Sequence, residues 1–444
     1  MGKLFGTDGI RGLANKYPMD PETALTIGRA VAEYFKAEHA KAHVVIGQDT
    51  RISGSMLALA VGAGICSAGV DVIQLGVLPT PAVAHLTVAT RAVAGIVISA
   101  SHNPYEDNGI KVFSADGTKL PDSVEARIES LIHEQNPATC AQIGRPHTLD
   151  DACEQYILFL QRAVPNLSLK GLVVALDCAN GATFETAPKL FMALGAEVRP
   201  YFSSPNGINI NQNCGSQHPE SLARAVIAQG AHLGLAFDGD GDRLIAVDEK
   251  GQILTGDQVL AVCANHLQKK GLLKNNAVVS TVMSNMGLRV ALNGMGIRLS
   301  TSQVGDRYVM EKMLAEDVVL GGEDSGHLIF RDVHTTGDGI MAALKLIDAM
   351  QSDHSPLSEL AKIMTVFPQE LINVEVKQKP DIRTIPEIVQ AIESVEKALG
   401  DQGRVLVRYS GTQNMCRVMV EGPTGEQALS FCQDIAAVVK KLLS

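Results

Sequence analysis

Gly95-Ile96-Val97-Ile98-Ser99-Ala100-Ser101-His102-Asn103-Pro104-Tyr105-Glu106-Asp107-Asn108-Gly109-Ile110-Lys111 runs from an apolar strand straight into a polar loop. A short apolar run bounded by turn residues reads as a buried strand, and its carboxyl end is where open α/β sheets bind ligands. The same grammar recurs at Val44-Val45-Ile46-Gly47 and at Val173-Val174-Ala175-Leu176-Asp177 before Cys178-Ala179-Asn180-Gly181. It returns at Val278-Val279-Ser280-Thr281 before Val282-Met283-Ser284-Asn285. Helical signals lie between these strands. Asp20-Pro21 makes an N-cap and N1 pair, after which Ala24, Ile27, Val31 and Phe35 fall on one helical face. The alternation predicts an α/β fold of three related modules in series.

Beyond residue 366 the pattern changes. Leu371 to Val376 and Arg404 to Val420 read as strands and Glu426 to Leu443 as a closing amphipathic helix, which predicts a smaller α+β domain. Interruptions of the apolar pattern place domains at 1–150, 151–254, 255–366 and 367–444.

Composition bounds the function. The 444 residues, 46% hydrophobic and 19% charged, describe a well-cored globular chain; at about 150 residues per domain, length alone suggests three compact units. With 48 acidic against 38 basic residues the net charge is −10, and the longest basic runs are pairs such as Lys269-Lys270 and Lys440-Lys441. Nucleic-acid binding needs clustered cations, so no nucleic-acid partner is expected. The longest apolar stretch, around Ala92 to Ala100, falls short of the roughly 18 residues of a membrane helix. Met1 to Gly6 has no apolar leader segment and no myristoylation pattern, so a cytoplasmic chain without a membrane partner is expected. The eight cysteines contain no CxxC pair and are expected as buried or inert thiols.

Asp238-Gly239-Asp240-Gly241-Asp242-Arg243 lies between the apolar runs Leu233 to Phe237 and Leu244 to Val247. Carboxylates at alternate positions with glycines between them can aim three hard oxygen ligands at one point, which suits Mg²⁺. An EF-hand calcium loop is the rival, with Glu249 at its twelfth position. Arg243 occupies the position that needs glycine, and the flanks read as strands. An acidic surface turn is the third reading.

The Ser101 loop places a hydroxyl, an imidazole and the Lys111 amine at one strand end; an ordinary Ser/Asn/Pro turn is its alternative. No GxSxG, GxGxxG, GxxxxGK[ST] or HExxH motif occurs, which removes the common hydrolase, dinucleotide, P-loop and zinc-protease readings. Two further loops, Gly321 to His327 and Arg408 to Asn414, are rich in donors. Arg408, Ser410 and Thr412 with freed backbone N–H groups could grip a phosphate; an ordinary turn is the alternative for each loop taken singly.

Taken in order, Gly6-Thr7-Asp8-Gly9-Ile10-Arg11-Gly12, Ser101-His102-Asn103-Pro104, Asp238 to Arg243, Gly322 to His327 and Arg408 to Thr412 resemble the α-D-phosphohexomutase family from end to end. The opening motif, with Asn209-Ile210-Asn211, Cys214-Gly215-Ser216 and Val304 to Tyr308, resembles its glucosamine branch rather than its glucose or mannose branches. The resemblance implies four domains around a central cleft: three α/β domains with mixed sheets and a C-terminal α+β domain. It implies Ser101 as a phosphoserine that joins Asp238, Asp240 and Asp242 on Mg²⁺. Lys111, Arg243 and Arg11 compensate charge, while His102 and Asn103 orient the serine and its phosphate. Glu323, Ser325 and His327 contact the sugar, and Arg408, Ser410, Gly411 and Thr412 hold the phosphate not being transferred. His327 is expected to touch substrate, since it has no pairing partner nearby in sequence. The implied reaction is glucosamine 6-phosphate ⇌ glucosamine 1-phosphate through a 1,6-bisphosphate, supplying UDP-N-acetylglucosamine synthesis, with a homodimer as the implied assembly. Two positions depart from the family pattern: Gln413-Asn414 stand where an acidic pair is usual, and Asp324 where the branch often has Gln.

Overall fold

The computed structural model describes residues 4–6, 8–36, 42–134, 142–410 and 414–444. The first sheet contains β1 (Ile10–Leu13), β2 (His43–Gln48), β3 (Asp71–Val77), β4 (Ala94–Ile98), β5 (Asp107–Ser114) and β6 (Pro146–Thr148), in the order β1-β5-β4-β2-β3-β6. Strands β4, β2, β3 and β6 run parallel, whereas β5 is antiparallel to β4 and β1 is antiparallel to β5. Val44, Val45, Ile96, Val97 and Ile98 are fully buried, as near-continuous apolar strands in a covered sheet should be.

The helix Pro21–Lys36 begins where its sequence signal lies: Asp20 accepts from Thr23 N and Oγ1, both at 2.9 Å. It packs against the helix Gly54–Ser67 through reciprocal close contacts. A Cβ on Gly28 would stand 2.1 Å from Val61 O, and one on Gly64 would stand 2.0 Å from Leu25 O. Their shared core includes Ile27, Val61 and Ile65 with Val44, Ile46 and Ile96.

The second sheet holds β7 (Val173–Asp177), β8 (Glu197–Tyr201), β9 (Leu233–Phe237), β10 (Leu244–Asp248) and β11 (Ile253–Leu254), ordered β11-β10-β9-β7-β8. The third holds β12 (Ala277–Thr281), β13 (Arg298–Ser302), β14 (Leu320–Gly322) and β15 (Leu328–Phe330), ordered β13-β12-β14-β15. Both repeat one plan: parallel strands within, then an antiparallel partner, β10 beside β9 and β15 beside β14. The first sheet does the same at β4 and β5. The turns made at these three switches carry Ser101, the Asp238 loop and the Glu323 loop.

By packing, Met1–Met283 with Ile297–Lys362 forms one compact unit, and Ser284–Gly296 with Ile363–Ser444 forms a second. The second unit contains an antiparallel sheet of β16 (Gln369–Glu375), β17 (Arg404–Tyr409) and β18 (Met415–Glu421), ordered β16-β18-β17. Helices Pro386–Leu399 and Gly425–Leu443 bury Ile388, Val395, Cys432, Ile435 and Val439 against Val374, Val418 and Val420. The first of these helices is absent from the sequence reading, although Pro386 at its start is a helix signal. The unit gathers its distant segment by hydrogen bonds. Asn285 Nδ2 donates to Phe367 O and accepts at Oδ1 from Phe367 N, both at 2.9 Å, while Met286 N donates to Glu421 Oε2 at 2.8 Å. Among the described residues no helix is long and apolar enough to cross a membrane.

Because Gly64 lies against backbone rather than a mobile side chain, Gly64→Ala is expected to cost about 1–3 kcal/mol by overpacking. Calorimetry should show a lower thermal midpoint; an unchanged one would contradict the close helix contact.

Candidate active site

Ser101 follows β4 with a left-handed backbone, φ +53°, which aims its side chain at the second module. Its Oγ donates to Asp238 Oδ2 at 2.6 Å and lies 3.3 Å from His102 Nδ1. The Asp238 loop turns between β9 and β10, closed by the Phe237–Leu244 pair. Gly241 takes φ +73°, and Gly239 must be glycine for a separate reason: a Cβ there would stand 2.5 Å from Ser101 O. The two glycines thus bring one loop onto the other.

Asp238, Asp240 and Asp242 are buried, and each offers an oxygen within 4.8 Å of the others. Lys111 Nζ donates to Asp240 Oδ2 at 2.8 Å, and Thr80 Oγ1 donates to the same oxygen at 2.7 Å. Asp240 Oδ1 and Asp242 Oδ1 are buried without a hydrogen-bond partner. Convergent carboxylates with unused oxygens fit a hard divalent cation such as Mg²⁺. The EF-hand alternative fails because strands flank the loop and Glu249 is taken by Ser358 N and Oγ. Burial removes the surface-turn alternative.

Electrostatics follow from this crowding. Burial, reinforced by Asp242 and Asp240, lifts Asp238 well above the ordinary carboxylate range. Burial and Asp242 act the same way on Asp240, but Lys111 and Thr80 outweigh them and hold it low. Lys111 is itself buried, which disfavours its charge, yet Asp240 and Asp8 raise it above its usual value. Burial, then Arg243 and Arg11, push His102 down to about 4, so it is neutral at pH 7.

His327 has partners that its sequence neighbourhood does not reveal. Its Nδ1 lies 3.6 Å from Asp242 Oδ2 and its Nε2 3.5 Å from Asp306 Oδ2. Burial alone would lower its pKa, but these carboxylates raise it to about 9. It is a buried cation whose partners are distant in sequence. Asp306 also takes Lys119 at 2.6 Å; Lys119 pairs with Asp8, and Asp8 pairs with Lys111 at 3.1 Å. Lys111 Nζ also lies 3.8 Å from Asp242 Oδ2, so Lys111, Asp8, Lys119, Asp306, His327 and Asp242 form a closed circuit of alternating charges, with Asp240 attached at Lys111. Sequence reading missed Asp8, Lys119 and Asp306 as site residues, although Asp8 and Asp306 each sit inside a quoted motif.

Of the other expected residues, Arg11 pairs with Asp8 and donates from Nη1 to Ala100 O at 3.3 Å. Arg243 Nε lies 3.8 Å from Asp242 Oδ1. Glu323 Oε1 accepts from Gly305 N at 2.9 Å, and Ser325 Oγ is buried without a hydrogen-bond partner. Asn103 Nδ2 donates to Asp107 Oδ2 at 2.9 Å, which ties the loop together beside the serine.

In the second unit, Arg408 stands opposite Arg417 across β17 and β18. Burial and then Arg417 lower the Arg408 pKa, a like-charge pair that an anion would relieve. Ser410 N donates to Met415 O at 2.9 Å, and Ser410 O accepts from Lys379 Nζ at 2.8 Å. Gly411 and Thr412 lie outside the described residues.

Four segments match successive domains described as Phosphoglucomutase/phosphomannomutase: alpha/beta/alpha domain I over 2–138, domain II over 154–251, domain III over 255–367 and the C-terminal domain over 371–438. The chain belongs to the phosphoglucomutase/phosphomannomutase family. Within that family it is 59% identical to a phosphoglucosamine mutase of Syntrophus aciditrophicus, with all of both chains covered. It is 56% identical to one of Syntrophobacter fumaroxidans, with 99% of each covered. A solved phosphoglucomutase/phosphomannomutase family protein of Burkholderia thailandensis superposes with a TM-score of 0.82 at 25% identity, covering 99% of this chain and 97% of that one. An Aspergillus fumigatus N-acetylphosphoglucosamine mutase, solved with GlcNAc-6P and magnesium, shares the fold with a TM-score of 0.66 at 16% identity, covering 99% and 96%.

Lys111→Met would leave Asp8, Asp240 and Asp242 without their shared cation, at an expected cost of about 3–5 kcal/mol. Urea unfolding should show a lower midpoint, of which added Mg²⁺ recovers more than it adds to the unaltered chain. Equal midpoints would mean that the lysine does not neutralise the cluster.

Proposed function

We propose that this chain is an isomerase interconverting glucosamine 6-phosphate and glucosamine 1-phosphate, with Ser101 as a reloadable phosphoryl carrier. The observation that carries the mechanism is the 2.6 Å contact of Ser101 Oγ with a buried acidic triad that has unused oxygens. Two full-length relatives above 50% identity, both phosphoglucosamine mutases, supply the substrate.

In this reading phosphoserine 101 gives its phosphoryl group to a sugar hydroxyl. The Oγ–P bond breaks, an O–P bond forms on the sugar, and the hydroxyl proton ends on the serine oxygen. The resulting 1,6-bisphosphate turns over and returns its other phosphoryl group to Ser101. Enzymatic phosphoryl transfer depends mainly on positioning and charge stabilisation. Asp238, Asp240 and Asp242, with the phosphate of Ser101, would hold Mg²⁺, which neutralises charge on the transferring oxygens when bound. Lys111, Arg243 and Arg11 add fixed positive charge around the serine. Neutral His102, its Nδ1 3.3 Å from Ser101 Oγ, orients the serine and its phosphate. His327, a cation at pH 7, is suited to a substrate oxygen rather than to proton abstraction. Glu323 and Ser325 read sugar hydroxyls, and Arg408, Ser410, Gly411 and Thr412 grip the distal phosphate. A cytoplasmic setting and supply of UDP-N-acetylglucosamine synthesis belong to the same proposal; free thiols such as Cys178 and Cys214 are in keeping with a reducing compartment.

Intact mass should show a phosphorylated fraction of the chain that Ser101→Ala lacks, and that variant should not turn over. In a coupled assay with glucosamine 6-phosphate, a trace of bisphosphorylated sugar should raise the rate, and chelation should remove it until Mg²⁺ returns. Full activity of the alanine variant, or full activity after exhaustive chelation, would reject the carrier or the metal.

Asp324 Oδ1 is buried without a hydrogen-bond partner in the sugar loop, where a carboxylate can pair with the substrate ammonium. Asp324→Ala should therefore lower the preference for glucosamine phosphate over glucose phosphate. An unchanged ratio of kcat/KM values would exclude that pairing.

A further inference from the structure

Arg51 lies beyond the end of β2, in the first module, with its side chain fully buried. Guanidinium has five N–H donors. Here every one is used. Nε donates to Asp49 Oδ2 at 2.8 Å, Nη1 to Asp107 O at 3.0 Å and to Pro104 O, and Nη2 to Ser101 O and Asn103 O, each at 2.9 Å. Four of the five acceptors are main-chain carbonyls between Ser101 and Asp107.

The circuit closes behind the serine. Asp49 Oδ2 also accepts from Ser99 Oγ at 2.5 Å, and Ser99 Oγ accepts from Ser101 N at 2.9 Å. Both main-chain groups of Ser101 are thereby fixed through one Asp49–Arg51 pair. From the second module, Asn211 Nδ2 donates to Ser101 O at 2.8 Å and to Asn103 O at 2.9 Å. Such over-determination has a purpose at this residue. A non-glycine residue with φ +53° is held in a conformation that costs about 1–3 kcal/mol and persists only where its surroundings enforce it.

We infer that Arg51 is a positioning residue for phosphoryl transfer: its guanidinium fork holds Ser101 in the left-handed conformation that presents Oγ to the Asp238 loop. The inference rests on the reading of Ser101 as carrier. Any buried guanidinium must find acceptors for all five donors; what sets this one apart is where they lie, four of them on the loop that bears the nucleophile. Lysine would keep the charge but offers three donors from one point, without the planar fork. A carrier that must meet two different oxygens of the sugar in turn requires one fixed origin for both transfers.

The test uses the full chain with Mg²⁺, comparing Arg51→Lys and Arg51→Ala with the unaltered protein. Each is loaded with glucose 1,6-bisphosphate, and intact mass gives the rate and the final extent of Ser101 phosphorylation. The final extent counts competent sites, so turnover is expressed per loaded site. Arg51→Lys is expected to fold, to load about 10²-fold more slowly and to lose kcat by the same factor, with KM little changed, because a displacement of about 1 Å costs that much. Arg51→Ala should lose at least as much, and added guanidinium should restore part of it. If Arg51→Lys loads and turns over at the unaltered rate per loaded site, with only a lower thermal midpoint, Arg51 is structural and the inference is wrong. Failure of the unaltered protein to load would instead remove the carrier reading itself, and the inference with it.

Discussion

Three carboxylates confined within 4.8 Å of one another inside a protein cannot all be ionised unless positive charge is brought to them. Much of the first compact unit is organised around that constraint. Lys111 arrives from β5, His327 from the end of the turn between β14 and β15, and Thr80 from the first module. Asp8, Lys119 and Asp306 then neutralise the neutralisers. Even so, two aspartate oxygens remain without a hydrogen-bond partner and Asp238 is pushed toward its protonated form. The compensation is incomplete, and the unused oxygens are of the kind a hard divalent cation takes.

The route by which these groups meet is a repeated piece of topology. In each of three sheets the last parallel strand turns back into an antiparallel neighbour, β4 into β5, β9 into β10 and β14 into β15. A parallel sheet gathers its loops at its carboxyl edge, and the reversal keeps the following strand beside that edge. Three such edges carry Ser101, the Asp238 loop and the Glu323 loop. The repeat thus brings three loops of unrelated sequence to equivalent places in their sheets.

What could be read from the chain in advance follows from how local each feature is. The Asp238 loop was legible because its geometry lies in covalent spacing, with glycines at the two positions where backbone must bend or approach. Ser101 was legible because a buried strand marks where its loop must begin. The partners of His327 lie 85 residues before it at Asp242 and 21 before it at Asp306, and no periodicity connects them. Asp8 and Lys119 are likewise joined only by folding. The contact of Asn103 with Asp107 could not be anticipated, because a side chain's direction depends on a backbone twist, here the positive φ of Ser101, that residue types do not announce. In the C-terminal region the strands were clear from alternation, and the helix Pro386–Leu399, passed over in the sequence, was as legible as the others: Pro386 opens it and Ile388, Ile392, Val395 and Leu399 fall on one face.

The second compact unit is not a continuous tail. It borrows Ser284–Gly296 from far upstream, and the amide of Asn285 and the N–H of Met286 are satisfied by Phe367 and Glu421. A stop codon or protease cut near residue 363 would therefore not remove a clean appendage. It would strand a short helix whose capping groups have lost their acceptors and donors, lodged within the sequence of the third module. Shortened forms of this chain inherit that orphan, and quality control in the cell would meet it as an exposed flaw rather than as a smaller enzyme.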